Sequence, residues 1–171
     1  MRIEIDKLEE LDGKFSQVYE SSELPLGEND IRLVEPAKVC GRIRRDDNEV
    51  ELRGELEAKI EATCGRCLQP VVLPIRSEFA ERFVSAVSWR AEEQHELREE
   101  DLNLAVFDGE AIELADLVRE EILLAVPGHI LCRQDCRGLC PVCGVDRNVK
   151  SCQCETKEID LRWQGLKELQ M

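Results

Sequence analysis

Between Val50 and Ala62 the chain alternates strictly: Val50, Leu52, Leu56, Ala58, Ile60 and Ala62 hold one parity, Glu51, Arg53, Glu55, Glu57, Lys59 and Glu61 the other. A period of two puts every second side chain on one face of an extended segment, so this run predicts a half-buried strand. Gly54 takes an inward slot of the pattern, which predicts a bend or bulge where a long strand curls around a core. After Thr63-Cys64-Gly65-Arg66-Cys67-Leu68-Gln69-Pro70 the alternation resumes with Val71, Leu73, Ile75 and Phe79. The two runs predict an antiparallel hairpin crowned by Cys64 and Cys67.

Upstream, residues 37–45 predict a short strand. Residues 1–30, with Ile3, Ile5, Leu8, Phe15, Val18 and Tyr19 ahead of the breakers Pro25 and Gly27, predict a short strand and a surface segment. Residues 91–103 are dominated by acidic side chains and read as a solvated loop. A short strand over 104–107 and a turn at Asp108-Gly109 come next. Leu114, Leu117, Val118, Ile122 and Ala125 then recur at helical spacing and predict a helix that stops at Pro127. Asp160 caps a last short helix with Leu161, Leu166 and Leu169 as its apolar stripe and Trp163 docking it on the body. The expected fold is α+β, a curved antiparallel β-sheet or partial barrel with a flanking helix and a C-terminal cysteine-rich module. The expected division is an acidic body over 1–131 and a cysteine-rich module with a C-terminal helix over 132–171, packed on the body.

Composition narrows this to one ordinary core: 171 residues, 43% hydrophobic and 35% charged. No apolar run approaches the ~20 residues needed to cross a bilayer, and Met1-Arg2-Ile3-Glu4-Ile5-Asp6 lacks the apolar stretch of a secretory signal, so the expected location is the cytoplasm. Net charge is −14, unevenly spread: residues 1–131 carry 16 basic against 31 acidic residues, whereas 132–154 carry four basic against two acidic. An acidic body repels nucleic acid at long range, so RNA contact has to be local, or the partner is a basic protein.

Six of the nine cysteines fall between Cys132 and Cys154, in the spacing C-x3-C-x3-C-x2-C-x8-C-x-C. In a reducing compartment this pattern predicts thiolate ligands to a metal rather than disulfides. Cys140, Cys143, Cys152 and Cys154 complete a first four-sulfur zinc site, because the loop from Gly144 to Ser151 returns the chain to the ion. Cys64, Cys67, Cys132 and Cys136 make a possible second site, leaving Cys40 spare. One or two structural Zn2+ ions are therefore expected. A closed four-cysteine site leaves no coordination position for water or substrate, which together with the absence of phosphate-loop and hydrolase motifs argues against an enzyme. His95 and His129 read as surface or loop histidines.

Two alternatives stay open. Cys64-Gly65-Arg66-Cys67 would suit a thiol-disulfide oxidoreductase if Arg66 lowered a thiol pKa, although the motif lies between strands rather than opening a helix. Cys140-Pro141-Val142-Cys143-Gly144 would suit a zinc-ribbon nucleic-acid-associated regulator. Arg42, Arg44 and Arg45, with Arg133, Arg137, Arg147 and Lys150, are candidates for one small phosphate-binding or partner-contact face. No aromatic interleaves them, so no base-stacking platform is expected.

The run from Cys132 to Asn148 with Cys152-Gln153-Cys154 resembles the C-terminal signature of the YceD family of bacterial large ribosomal RNA accumulation proteins. Thr63 to Pro70 is similar to that family's C-x-R-C-L motif, Ile112 through Pro127 to its helix, and Ile159-Asp160-Leu161-Arg162-Trp163 to its tail. Asp146-Arg147 stands where many relatives read Asn-Leu, a change that spares the candidate ligands. The resemblance implies a non-enzymatic factor for large-subunit ribosomal RNA synthesis, processing or accumulation and hence for large ribosomal subunit biogenesis. The partners it implies are a pre-large-subunit particle, a basic ribosomal protein or an rRNA maturation factor.

Overall fold

The computed structural model describes residues 2–4, 12–27, 31–46, 49–91, 104–107, 111–154 and 162. The strands are β1 (Arg2–Glu4), β2 (Asp12–Tyr19), β3 (Arg32–Asp46), β4 (Glu49–Thr63), β5 (Pro70–Ser85), β6 (Leu104–Phe107) and β7 (Ala111–Glu113); the helices are α1 (Ala86–Ala91) and α2 (Leu114–Leu124). Ala91, first residue of the expected acidic loop over 91–103, instead ends α1; the rest of that loop, the turn at Asp108-Gly109 and, apart from Arg162, the C-terminal helix lie outside the described residues.

Strands β2 to β6 form one sheet in the order β2-β3-β4-β5-β6, and β1 pairs with β7 apart from it. The sheet is open and not closed into a barrel. It is also not wholly antiparallel, because β6 runs parallel to β5. A parallel neighbour needs a crossover rather than a tight turn, and α1 begins that crossover. On the β4 side of the central hairpin the strands are longer than the sequence pattern predicts. β3 covers fifteen residues, and the supposed surface segment contains β2, whose Phe15 and Tyr19 are buried.

The alternation on β4 does what its period demands: Val50, Leu52, Leu56, Ala58, Ile60 and Ala62 are all buried. Each buried Val, Leu or Ile among them contributes about 1.5–3 kcal/mol of transfer free energy, and the two alanines less. α2 presents Leu114, Leu117, Val118 and Ile122 to the same core, and Ser77 Oγ donates to Glu121 Oε2 at 2.8 Å where the helix meets β5. Asp116 lies in the first turn of α2, where its charge suits the helix dipole. The bulge expected at Gly54 lies elsewhere: Gly54 pairs in continuous register with Gly41, and the register shifts fall between Leu33 and Lys38.

Candidate metal centres

β4 keeps its parity past Thr63, so Cys64 falls on the inward side and is fully buried. The turn that follows is tight: the Leu68 N–H donates to Cys64 O at 3.0 Å and the Cys64 N–H to Gln69 O at 2.9 Å. The second C-x-x-C element closes in the same way, with the Gly144 N–H on Cys140 O at 2.9 Å and the Cys140 N–H on Val145 O at 2.8 Å. In both, the residue after the second cysteine is left-handed, Leu68 at φ 60° and Gly144 at φ 72°. The unlike flanks conceal two copies of one knuckle.

Glycine is the residue such a position favours, and Leu68 occupies it with 63% of its surface exposed. Left-handed backbone costs a non-glycine residue about 1–2 kcal/mol, and glycine's freedom in the unfolded chain returns about 0.5–1 kcal/mol of that. Leu68→Gly should therefore stabilise the protein by up to about 1 kcal/mol in urea unfolding. A clear loss of stability instead would show that the leucine side chain makes contacts the fold needs.

The helix delivers the partners of the first knuckle. After α2 the chain passes Ile130, whose carbonyl accepts the Gly65 N–H at 2.8 Å, and Cys132 and Cys136 then face Cys64 and Cys67. Sγ of Cys64 lies 3.9 Å from Sγ of Cys136, and Sγ of Cys67 lies 3.6 Å from Sγ of Cys132. The sulfurs fall into two groups, Cys64, Cys67, Cys132, Cys136 and Cys140, Cys143, Cys152, Cys154, with the sulfurs of each group within 4.8 Å of one another. Four thiolates around a tetrahedral ion with metal–sulfur bonds of about 2.3 Å would stand about 3.8 Å apart, close to the spacings present. All nine cysteines are free thiols. The donor set and its geometry fit metal ions, and either tetrad could hold one.

Main-chain donors prepare the sulfurs. N–H groups of Cys67 and then Arg66 lower Cys64 to about 6, and those of Cys143 and Val142 lower Cys140 to about 6. Burial, with hydrogen-bond sharing from Cys67, pushes Cys132 up to about 12. Sharing with Cys143, followed by burial, pushes Cys154 up to about 12. Each tetrad thus combines thiols whose ionisation is eased with thiols whose ionisation is opposed; a metal ion would displace the remaining protons into solvent, so occupancy would fall as pH falls. Arg66 does not play the role the sequence suggested. Its guanidinium donates to Cys136 O at 2.8 Å, and the low pKa of Cys64 comes from peptide N–H groups.

The two tetrads share a spine. Leu139 donates to Arg66 O at 3.0 Å and bridges to Asp146. Asn148, in the loop between the ligands of the second tetrad, donates Nδ2 to Cys136 Sγ of the first at 3.4 Å. Its Oδ1 accepts the Arg137 N–H at 2.8 Å. Sequence reasoning gave Asn148 no role. The one signal available was an amide, donor and acceptor at once, inside a loop that must return to a metal.

The candidate basic face divides in two. Arg42 and Arg44 line a trough of about 1200 Å³ on the outer side of the sheet, with Lys14 and Arg53 but also Glu51, Glu55 and Glu78. Arg45 lies on the same strand and is half-buried. Arg137, Arg147 and Lys150 line a separate depression of about 250 Å³ beside the second tetrad, and Arg133 pairs with Asp135 at 3.5 Å. His129 is exposed, and His95 lies outside the described residues.

An open mixed sheet that carries two four-cysteine groups at the end of its central hairpin defines an α+β protein with paired thiol clusters. Residues 52–170 match the family described as "Large ribosomal RNA subunit accumulation protein YceD", and the chain belongs to that family. It is 27% identical over 157 residues to the protein YlbN of Bacillus subtilis, spanning 91% of this chain and 87% of that one. It is 32% identical over 128 residues to Rv2926c of Mycobacterium tuberculosis and Mb2951c of Mycobacterium bovis. Those matches span 75% of this chain and 59% of each mycobacterial protein. No solved structure matches the chain. Among the described residues, no helix is long and apolar enough to cross a membrane.

Proposed function

We propose that this chain is a non-enzymatic, cytoplasmic factor that holds two structural zinc ions and supports the accumulation of large-subunit ribosomal RNA during large ribosomal subunit biogenesis. The observation that carries this reading is the span of the family match. Residues 52–170 include all eight tetrad cysteines and leave out Cys40, the one cysteine in neither tetrad. Zinc suits four thiolates in a tetrahedron, and a site so closed has no position for a reacting group. The acidic body, net −15 over residues 1–131, suits a basic ribosomal protein, while positive charge gathers at the cysteine end. Full burial of Cys64 disfavours the thiol-disulfide reading, because an attacking thiolate needs access to its substrate.

Deletion of the gene tests this directly. Mature large-subunit ribosomal RNA should fall relative to small-subunit RNA, and the protein should co-sediment with precursors of the large subunit. An unchanged RNA ratio with no co-sedimentation would overturn the reading.

A further inference from the structure

Five cations of the sheet are in ion pairs, Arg32 with Glu61, Arg53 with Glu51, Lys59 with Glu35, Arg76 with Glu57 and Arg82 with Glu49, and Lys14, Arg42 and Arg44 share their trough with three glutamates. Arg137, Arg147 and Lys150 are not. They are exposed, and among the described residues none of the three side chains has an ion-pair or hydrogen-bond partner. They line one depression together with Asn148, Val149, Ser151 and Cys152, and no carboxylate lines it.

The main chain beneath is fixed. The Arg137 N–H bonds Asn148 Oδ1 at 2.8 Å; the Arg147 N–H bonds Gly138 O and the Lys150 N–H Asp146 O, both at 3.0 Å. Nor do these cations serve the thiols: the donors to Cys136 and Cys64 sulfur are Asn148 Nδ2 and the Cys132 N–H. On a chain of net charge −14, three unpaired cations thus line one depression above a hydrogen-bonded main chain, a local positive field in an acidic molecule.

We propose that this depression binds the backbone phosphates of single-stranded RNA. The polymer rests on the ribosomal RNA reading above; the site rests on charge and lining alone. Guanidinium groups take phosphate oxygens in pairs, and Ser151 adds an uncharged donor, whereas both amide hydrogens of Asn148 are taken by Cys136 Sγ and Asp146 Oδ1. The lining holds one apolar residue, Val149, and no aromatic, which is poor material for the core of a protein interface. It is equally poor for base stacking, so the contact reads the backbone and not the sequence. The larger trough on the sheet is the weaker rival, because Glu51, Glu55 and Glu78 share it with its cations.

The test is fluorescence anisotropy of a labelled single-stranded RNA oligonucleotide with the full, metal-loaded chain. Three phosphate contacts predict a slope of log affinity against log salt of about −2. The triple variant Arg137→Gln, Arg147→Gln, Lys150→Gln should bind at least about tenfold more weakly at low salt with a nearly flat salt dependence. Its metal content should stay unchanged, and Arg42→Gln with Arg44→Gln should bind as the unaltered chain does. The proposal is overturned by equal binding in the triple variant, by no RNA binding at low salt, or by polyaspartate competing as well as RNA, which would assign the site to an acidic protein. If any of these occurs while gene deletion still lowers large-subunit RNA, the site assignment fails and the functional reading stands.

Discussion

On the two-zinc reading, Cys64→Ser should lower the zinc content from two ions per chain to one, and should lower stability more than any other single ligand change. The sulfur is fully buried, stands 3.9 Å from Cys136 Sγ and accepts the Cys132 N–H at 3.4 Å. Its tetrad ties the tip of the β4–β5 hairpin to the segment after α2, so a cross-link between regions some sixty-five residues apart goes with it. Structural zinc contributes on the order of 10 kcal/mol of apparent binding free energy, and a three-sulfur remnant with a buried hydroxyl keeps little of it. The second tetrad draws its ligands from residues 140–154 and should retain its ion. Elemental analysis of the reduced protein with urea unfolding decides it, and Cys40→Ser, altering a cysteine outside both tetrads, should match the unaltered chain in both measurements. Two ions in the Cys64→Ser protein, or one in each, would refute the first tetrad as a metal site.

How much of this was legible beforehand depends on the range of the interaction involved. The parity of Val50 to Ala62 is local, and it placed the buried face of β4 correctly because one buried face allows only one register. The helical spacing of Leu114 to Ile122 placed α2 for the same reason. The grouping of Cys64 and Cys67 with Cys132 and Cys136 was one of two alternatives. Spacing shows which sulfurs sit near one another along the chain; only the fold brings Ile130 back against Gly65. The parallel pairing of β6 and the strand character of β2 were missed because both depend on neighbours far away in sequence. The kinship of the two knuckles was hidden by Leu68, whose side chain disguises a backbone that Gly144 repeats. Strand β3 was under-read where Glu35 and Pro36 break the alternation, at the bulge that the register shifts record.

Gly41→Ala is expected to be the most damaging change in the sheet away from the cysteines. Phe15, Gly41, Gly54 and Phe79 lie in register across β2 to β5. The aromatic rings lean over the glycine pair and fill the space that two side chains would otherwise take. A Cβ on Gly41 would strike the Arg53 carbonyl oxygen and stand 2.7 Å from both Gly54 Cα and Phe15 Cζ. Two of those three atoms are backbone in the paired strand, so relief requires parting the β3–β4 ladder rather than turning a rotamer. The cost should be at least about 3 kcal/mol, at the upper end for overpacked cores. Gly13→Ala meets only the flexible Ile43 Cγ2, at 2.8 Å, and should cost less, while Gly128→Ala, with nothing within 4 Å, should be close to neutral. Urea unfolding midpoints for the three variants should fall in that order. A Gly41→Ala protein as stable as Gly128→Ala would mean that the sheet yields at its centre. In that case the platform that sets Cys64 against Cys136 would be less rigid than the packing of Phe15 and Phe79 over the glycines implies.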